Sequence, residues 1–248
     1  MKASLLILAA AQRARGDVPF AIFTDLDGTF VSEGTRHISD DVVAACAKCD
    51  YPLIAMTGRE SARVLAEIDR GELPMFSAII TAVGTEVWLL HGNEYQPDEK
   101  YRKKVAASYD KPAVLTAAQV IVRSSLPALK LHFQEKKEPE PFKVSLSFTA
   151  SAEAEAAELA ETFRQSLPDY KIIVSEDIYK KNGYNLDIVP AGKDDAVRHI
   201  MDTYGFPRGL IAGDSANDLD ALAIPQLTSI WVKDHAGPAS LLNAVENL

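Results

Sequence analysis

The sequence predicts an α/β fold in which a doubly wound parallel sheet carries an inserted α+β module. Three observations predict it. Apolar segments of strand character end abruptly in acids, as in Phe20-Ala21-Ile22-Phe23-Thr24-Asp25 and Gly209-Leu210-Ile211-Ala212-Gly213-Asp214, and open α/β sheets place ligands outside such strand ends. Strands and helical segments alternate through the first third of the chain, the pattern of a parallel sheet with right-handed crossovers. Composition then changes after Asn93 and returns to sheet pattern at Asn185.

Size and charge bound the possibilities. The chain has 248 residues, 47% hydrophobic and 25% charged, enough for one large core plus a smaller module. With 26 basic against 35 acidic residues the net charge is −9, so no nucleic-acid partner is expected. An anionic substrate must be attracted locally, by a metal and a few placed cations. Residues 1–17 read as an N-terminal extension. Its apolar start, Met1 to Ala11, has the look of a short export signal, but a short helix ahead of the first strand is the expected state. That run is too short to span a bilayer, and a cytoplasmic protein with no membrane partner is expected. Cys46 and Cys49 form a C-x-x-C with no second ligand pair, which assigns them a structural role.

Phe20 to Asp25 is the first strand. Ser39 to Cys49 reads as a helix with Ser39 at its N-cap. Tyr51 to Met56 is a second short strand, ending in Thr57-Gly58-Arg59, and Glu60 to Arg70 is a helix with Ala62, Leu65, Ala66 and Ile68 on one face. Ala78 to Val83 is a third strand, and Val87 to Leu90 a hairpin arm turning at His91-Gly92-Asn93. Residues 94–111 are polar and read as mostly helical. Glu135 to Pro141 reads as a solvated hairpin tip, Phe142 to Phe148 as a strand, Glu153 to Ser166 as a helix and Lys171 to Val174 as a strand. Sheet pattern resumes with Asn185 to Val189, then a helix from Lys193 to Tyr204, the strand ending at Asp214, a helix opening at Leu219, a strand at Ser229 to Val232 and a terminal helix in 238–248.

Four segments carry chemistry. Asp25 and Asp27 are two carboxylates two positions apart ahead of Gly28; they repel unless a cation lies between them, although a strand with a plain Asp-Gly turn would look the same. Thr57-Gly58 offers a hydroxyl and free backbone N–H groups where a phosphate oxygen could bind. Lys193 opens a helix, the end at which a cation is least favoured by the dipole, so a bound phosphate would give it a reason to be there. Gly213-Asp214-Ser215-Ala216-Asn217-Asp218 adds two acids four apart. With Asp25 and Asp27 these make an oxygen-rich pocket suited to Mg²⁺.

In this order the four segments resemble those of the haloacid-dehalogenase-like (HAD) phosphohydrolases, and the insert sits where the C2-type cap of the Cof-like branch does. Thr81-Ala82-Val83-Gly84-Thr85-Glu86-Val87, Pro141-Phe142-Lys143-Val144-Ser145 and Leu186-Asp187-Ile188-Val189-Pro190 resemble most the sucrose-phosphate phosphatase group. The resemblance implies a Rossmann-like core at 18–95 and 189–248 with a cap domain at 96–188. It implies a Mg²⁺-dependent phosphatase with Asp25 as nucleophile and Asp27 as general acid and base. Metal ligands would be Asp25, the carbonyl of Asp27, Asp214 and Asp218, and Thr57, Gly58, Lys193 and Asn217 would bind phosphate. The expected partner is a small phosphorylated metabolite, a sugar phosphate above all, met by a monomer or weak dimer. A sugar phosphomutase and a non-catalytic phosphate-binding protein remain open alternatives. Lys143 and Gln134 could reach sugar hydroxyls, but read more simply as surface residues, and the five histidines show no ligand spacing.

Overall fold

A computed structural model describes residues 17–32, 51–135, 140–177, 180–232 and 239–246, with isolated helical or loop positions at 5, 9, 12, 13, 38, 41, 42, 44 and 45. Ser39, Cys46 and Cys49 lie outside the described residues.

The chain divides into two compact units, 1–102 with 193–248 and 103–192. The first is a mixed α/β unit on a seven-stranded sheet. In chain order its strands are β1 (Phe20–Asp25), β2 (Leu53–Met56), β3 (Ala78–Thr81), β4 (Glu86–His91) and β5 (Glu94–Pro97), then β10 (Arg208–Gly213) and β11 (Leu227–Trp231). Their spatial order is β11-β10-β1-β2-β3-β4-β5. The first five of that order pair in parallel, and β4 and β5 run antiparallel. Every residue of β1, β2 and β3 is buried, which is why these strands read as continuous apolar runs. Outside the small sheet's own helices, the described residues also form α1 (Ser61–Asp69), α2 (Glu99–Ala107), α5 (Lys193–Tyr204), α6 (Leu219–Leu222) and α7 (Ala239–Glu246).

One expected helical stretch is a strand. β5 pairs with β4 across the Gly92-Asn93 turn, where Gly92 sits at φ 66°. It is an edge strand whose outward positions are polar and whose Pro97 needs no ladder partner on the free side. Tyr95, on its inward face, exchanges hydrogen bonds of 2.8 Å with the backbone N–H and carbonyl of Phe76. Ahead of β1, Leu5, Ala9 and Gln12 are helical and buried. The Gln12 amide makes paired bonds with the backbone of Phe20, donating at 3.1 Å and accepting at 2.6 Å.

The second unit holds β6 (His132–Phe133), β7 (Val144–Thr149), β8 (Lys171–Glu176) and β9 (Gly183–Val189) with helices α3 (Lys111–Ser124) and α4 (Glu153–Ser166). The sheet is antiparallel in the order β6-β7-β9-β8. Asn185 to Val189 therefore belongs to this small sheet, and the large sheet resumes only at β10. Val144, Leu146 and Phe148 of β7 and Leu186 and Ile188 of β9 bury one face against Val114, Ala118, Leu159 and Phe163 of the two helices. Alternation puts Lys143, Ser145, Ser147, Asn185 and Asp187 on the other face.

Two expectations for the charged hairpin change. Residues 136–139 lie outside the described residues, but Glu140 is buried rather than solvated, and so is Lys143, with its Nζ 2.9 Å from Glu140 Oε1 and 3.8 Å from Asp187 Oδ1. A mutual ion pair lets both leave water. Among the described residues no helix is long and apolar enough to cross a membrane.

Candidate active site

β1 delivers Asp25 at the C-terminal edge of the large sheet, and the chain turns at once. Phe30 N–H donates to the carbonyls of Asp25 and Leu26, and Gly28 N–H to Val31 at 2.9 Å. Gly28 takes φ 80°, a left-handed value that suits glycine. Leu26 and Phe30, both fully buried, pin the turn to the core.

Next to β1 lies β10, and the turn after it is equally tight. Ser215 and Asp218 form a reciprocal capping box over the short 3-10 turn Ala216–Asp218. Asp218 Oδ2 accepts from Ser215 N and Oγ, both at 3.1 Å, and from Asp214 N at 3.3 Å. Gly213 permits this approach: a Cβ there would come within 2.6 Å of Asp218 Cβ and Cγ.

Lys193, the first residue of α5, closes the group. Its Nζ donates to Asp25 Oδ1 at 2.6 Å, Asn217 Oδ1 at 2.7 Å and Asp218 Oδ1 at 2.6 Å. The ammonium is entirely buried. Burial pulls its pKa down, but the charges and hydrogen bonds of Asp218 and Asp25 outweigh that, and the net shift is upward. Burial pushes the Asp25 carboxyl well above the usual range, Asp218 and Asp214 add to this, and Lys193 opposes it. One cation thus bonds two acids, with a third, Asp214, beside them.

Asp25, Asp214 and Asp218 each offer a carboxylate oxygen, all within 4.8 Å of one another. An all-oxygen, buried anionic donor set fits a hard divalent cation such as Mg²⁺. Thr29 Oγ1 donates to Asp214 Oδ1 at 3.1 Å and helps orient it. The Asp27 carboxylate is not part of this group.

Asp27 instead meets a residue to which the sequence reading gave no role. The Arg59 guanidinium grips its carboxylate through two bonds, Nε to Oδ2 at 2.8 Å and Nη2 to Oδ1. The remaining Nη1 bonds buried Glu67 of α1, which also takes Arg63 Nε at 2.9 Å. Asp27 is half exposed while the Arg59 side chain is almost wholly buried. Arg59 stands in the Thr57-Gly58-Arg59 segment, so the motif held the signal. Its partners, 32 residues before it and 8 after it, gave none.

Thr57 is buried, and its Oγ1 accepts from Arg59 N–H at 3.1 Å. A Cβ added at Gly58 would meet nothing within 4 Å, so space is open above that backbone. Of the residues singled out from the sequence, Asp25, Lys193, Asn217, Asp214 and Asp218 come together around one ammonium and its acids. Thr57 and Gly58 follow the neighbouring strand β2, and Asp27 pairs with Arg59.

With this geometry in view, the sequence profile of the family described as sucrose-6F-phosphate phosphohydrolase matches residues 18–247. The chain belongs to this family. A probable sucrose-phosphatase 2 from Arabidopsis thaliana is 33% identical over 195 residues, 75% of this chain and 42% of that protein. An HAD-like hydrolase from Nitrosococcus oceani is 30% identical over 212 residues, 81% of this chain and 55% of that protein. The chain thus spans about half the length of these relatives. The fold matches that of the sucrose-phosphatase from Synechocystis sp. PCC6803, solved with sucrose and phosphate, at TM-score 0.67 and 18% identity over 92% of this chain and 87% of that one.

Proposed function

We propose that this member of the sucrose-6F-phosphate phosphohydrolase family is a Mg²⁺-dependent cytoplasmic phosphatase that hydrolyses a sugar phosphate through an aspartyl-phosphate. One observation carries the reading: a fully buried ammonium, Lys193 Nζ, bonded to Asp25, Asn217 and Asp218 at the C-terminal ends of β1 and β10. Such a cation is costly to bury and has a use where a dianionic phosphoryl group must be held.

In this reading an Asp25 oxygen attacks phosphorus in line, forming the acyl-phosphate as the ester oxygen leaves. Asp27 gives that oxygen a proton, then takes one from the water that attacks the acyl-phosphate. Lys193, Thr57 Oγ1, the Asn217 amide and the backbone N–H groups after Asp25 hold the phosphoryl oxygens, where transition-state charge spreads. Held by Asp25, Asp214 and Asp218, Mg²⁺ would supply the neutralising charge that lets a carboxylate approach a phosphate dianion. Arg59 aims Asp27 and must share or yield its grip while the proton moves.

The small sheet carries a polar face of its own. Gln134 Nε2 donates to Ser147 Oγ at 3.0 Å and Asn185 Oδ1 at 2.8 Å, and Ser145 Oγ to Asp187 Oδ1 at 2.5 Å. Rows of hydroxyls, amides and carboxylates of this kind suit a polyhydroxy ligand. The test is phosphate release from a panel of sucrose 6F-phosphate, hexose phosphates and an aryl phosphate, with Mg²⁺ and with chelator. Mg²⁺-dependent hydrolysis favouring one sugar phosphate is expected. No release from any ester would overturn the reading, and interconversion of isomers on adding a sugar bisphosphate would replace it with a mutase.

A further inference from the structure

A buried polar cluster lies outside the residues just assigned. Asp98, between β5 and α2, accepts at Oδ1 from the backbone N–H groups of Lys100 and Tyr101, both at 3.0 Å, and so caps α2. Its Oδ2 accepts from Tyr204 Oη at 2.8 Å and lies 2.8 Å from His199 Nε2. Tyr101 is wholly buried, with its ring centroid 4.8 Å from that of His199, and its hydroxyl donates to the carbonyl of Gly84 at 2.7 Å.

Each end of this cluster leads to a residue of the proposed site. Gly84 closes the 3-10 turn Ala82–Gly84, in which Ala82 and Val83 take φ 50° and 63°. Left-handed backbone at alanine and at β-branched valine is strained, and persists only where the surroundings impose it. Here it aims two amides at the phosphate segment: Val83 N–H donates to the Thr57 carbonyl at 3.1 Å and Ala82 N–H to that of Arg59 at 2.9 Å. At the other end His199 and Tyr204 belong to α5, whose first residue is Lys193.

We infer that Asp98 and Tyr101 are positioning residues for phosphoryl transfer, a brace that fixes the Thr57 segment and the Lys193 helix at one spacing. Asp98 holds α5 through His199 and Tyr204. Tyr101 holds the strained turn through Gly84 while packing on the same histidine. Neither touches the reacting group. Both act on the spacing of the groups proposed above to hold one phosphoryl, and a misplacement of about 1 Å suffices to slow such a step. The inference rests on the phosphatase reading above.

The test is Tyr101→Phe, which keeps the ring contact with His199 and removes only the bond to Gly84, beside Tyr204→Phe, which removes only one bond to Asp98. For each, kcat and KM on an aryl phosphate, inhibition by orthovanadate, the thermal midpoint and amide exchange at Val83 are measured. The brace predicts a kcat roughly tenfold to a hundredfold lower for Tyr101→Phe. Vanadate inhibition weakens in step, KM changes little, Val83 exchange quickens, and the midpoint falls by only a few degrees. Tyr204→Phe should lose less, with the same kcat-against-KM signature. A variant that loses midpoint but keeps wild-type kcat and vanadate inhibition would overturn the brace and leave Tyr101 structural. Wild-type enzyme that neither hydrolyses the ester nor binds vanadate would instead sink the phosphatase reading itself.

Discussion

Asp98→Asn tests the electrostatics of the fold at one buried position. The substitution keeps the shape and removes the charge. Burial alone raises the pKa of this carboxyl, but hydrogen bonds from His199, the Tyr101 backbone and Tyr204, with the charge of His199, reverse that and lower it from 3.8 to about 2. At 1.36 kcal/mol per tenfold change in proton affinity, this difference of about 1.8 corresponds to about 2.5 kcal/mol. The side chain is 5% exposed, so solvent screening takes little from it. The sign follows from linkage. A carboxyl whose pKa is lower in the folded chain stabilises at pH values above its unfolded pKa, and the contribution is lost as pH falls through the folded one. The gap in unfolding free energy between wild type and Asp98→Asn should therefore be about 2.5 kcal/mol near pH 5. It should be roughly halved near pH 3 and gone below about pH 2. Urea unfolding across that range, followed by circular dichroism, reads it directly. A gap below about 0.5 kcal/mol near pH 5, or one that persists undiminished at pH 3, would refute the reasoning.

Asp25→Asn should fold and bind phosphate weakly but show no turnover, whereas Asp27→Asn should keep most Mg²⁺ affinity and lose about 10²–10⁴ in rate; steady-state assays with titration calorimetry separate them, and turnover of Asp25→Asn within tenfold of wild type would refute the covalent route. Arg59→Ala frees the Asp27 carboxylate from its two-bond grip and should cost on the order of 10² in kcat, with Arg59→Lys restoring little because an ammonium cannot make both bonds; wild-type kcat in either variant would show that the grip has no role in turnover. Gly213→Ala drives a Cβ to 2.6 Å from Asp218, and should lower stability by about 1–3 kcal/mol and weaken Mg²⁺ binding; an unchanged thermal midpoint would refute the tight packing.

The fold was legible where burial is two-sided. β1, β2 and β3 are covered on both faces, so their sequences are nearly pure apolar runs, and the parallel α/β core follows from them. It was not legible at β5, where an edge strand with an inward tyrosine has the polar composition of an exposed helix. Glu140 and Lys143 hid for a related reason: a charge pair can be buried only with its partner, and strand sequence does not announce partners. Within the candidate site, residues at strand ends could be singled out because chain direction puts all those ends on one edge. Arg59 pairing with Asp27 and Glu67, and His199 pairing with Asp98 across 101 positions, depend on side-chain geometry that spacing does not encode.

The strand order also sets a timetable for synthesis. β1 carries Asp25 and is made well before one of its two neighbours, β10, whose residues begin at Arg208. As the chain leaves the ribosome, β1 can pair with β2 early but keeps its other edge, a row of unpaired backbone N–H and C=O groups, open until residues 208–213 have emerged. At about 5–20 residues per second that interval is on the order of ten seconds or more. The small antiparallel sheet, complete by Val189, can form within it. The same interleaving that sets Asp25 beside Asp214 thus leaves the nascent chain with an unpaired strand edge, the kind of surface on which holdase chaperones act and from which aggregation starts.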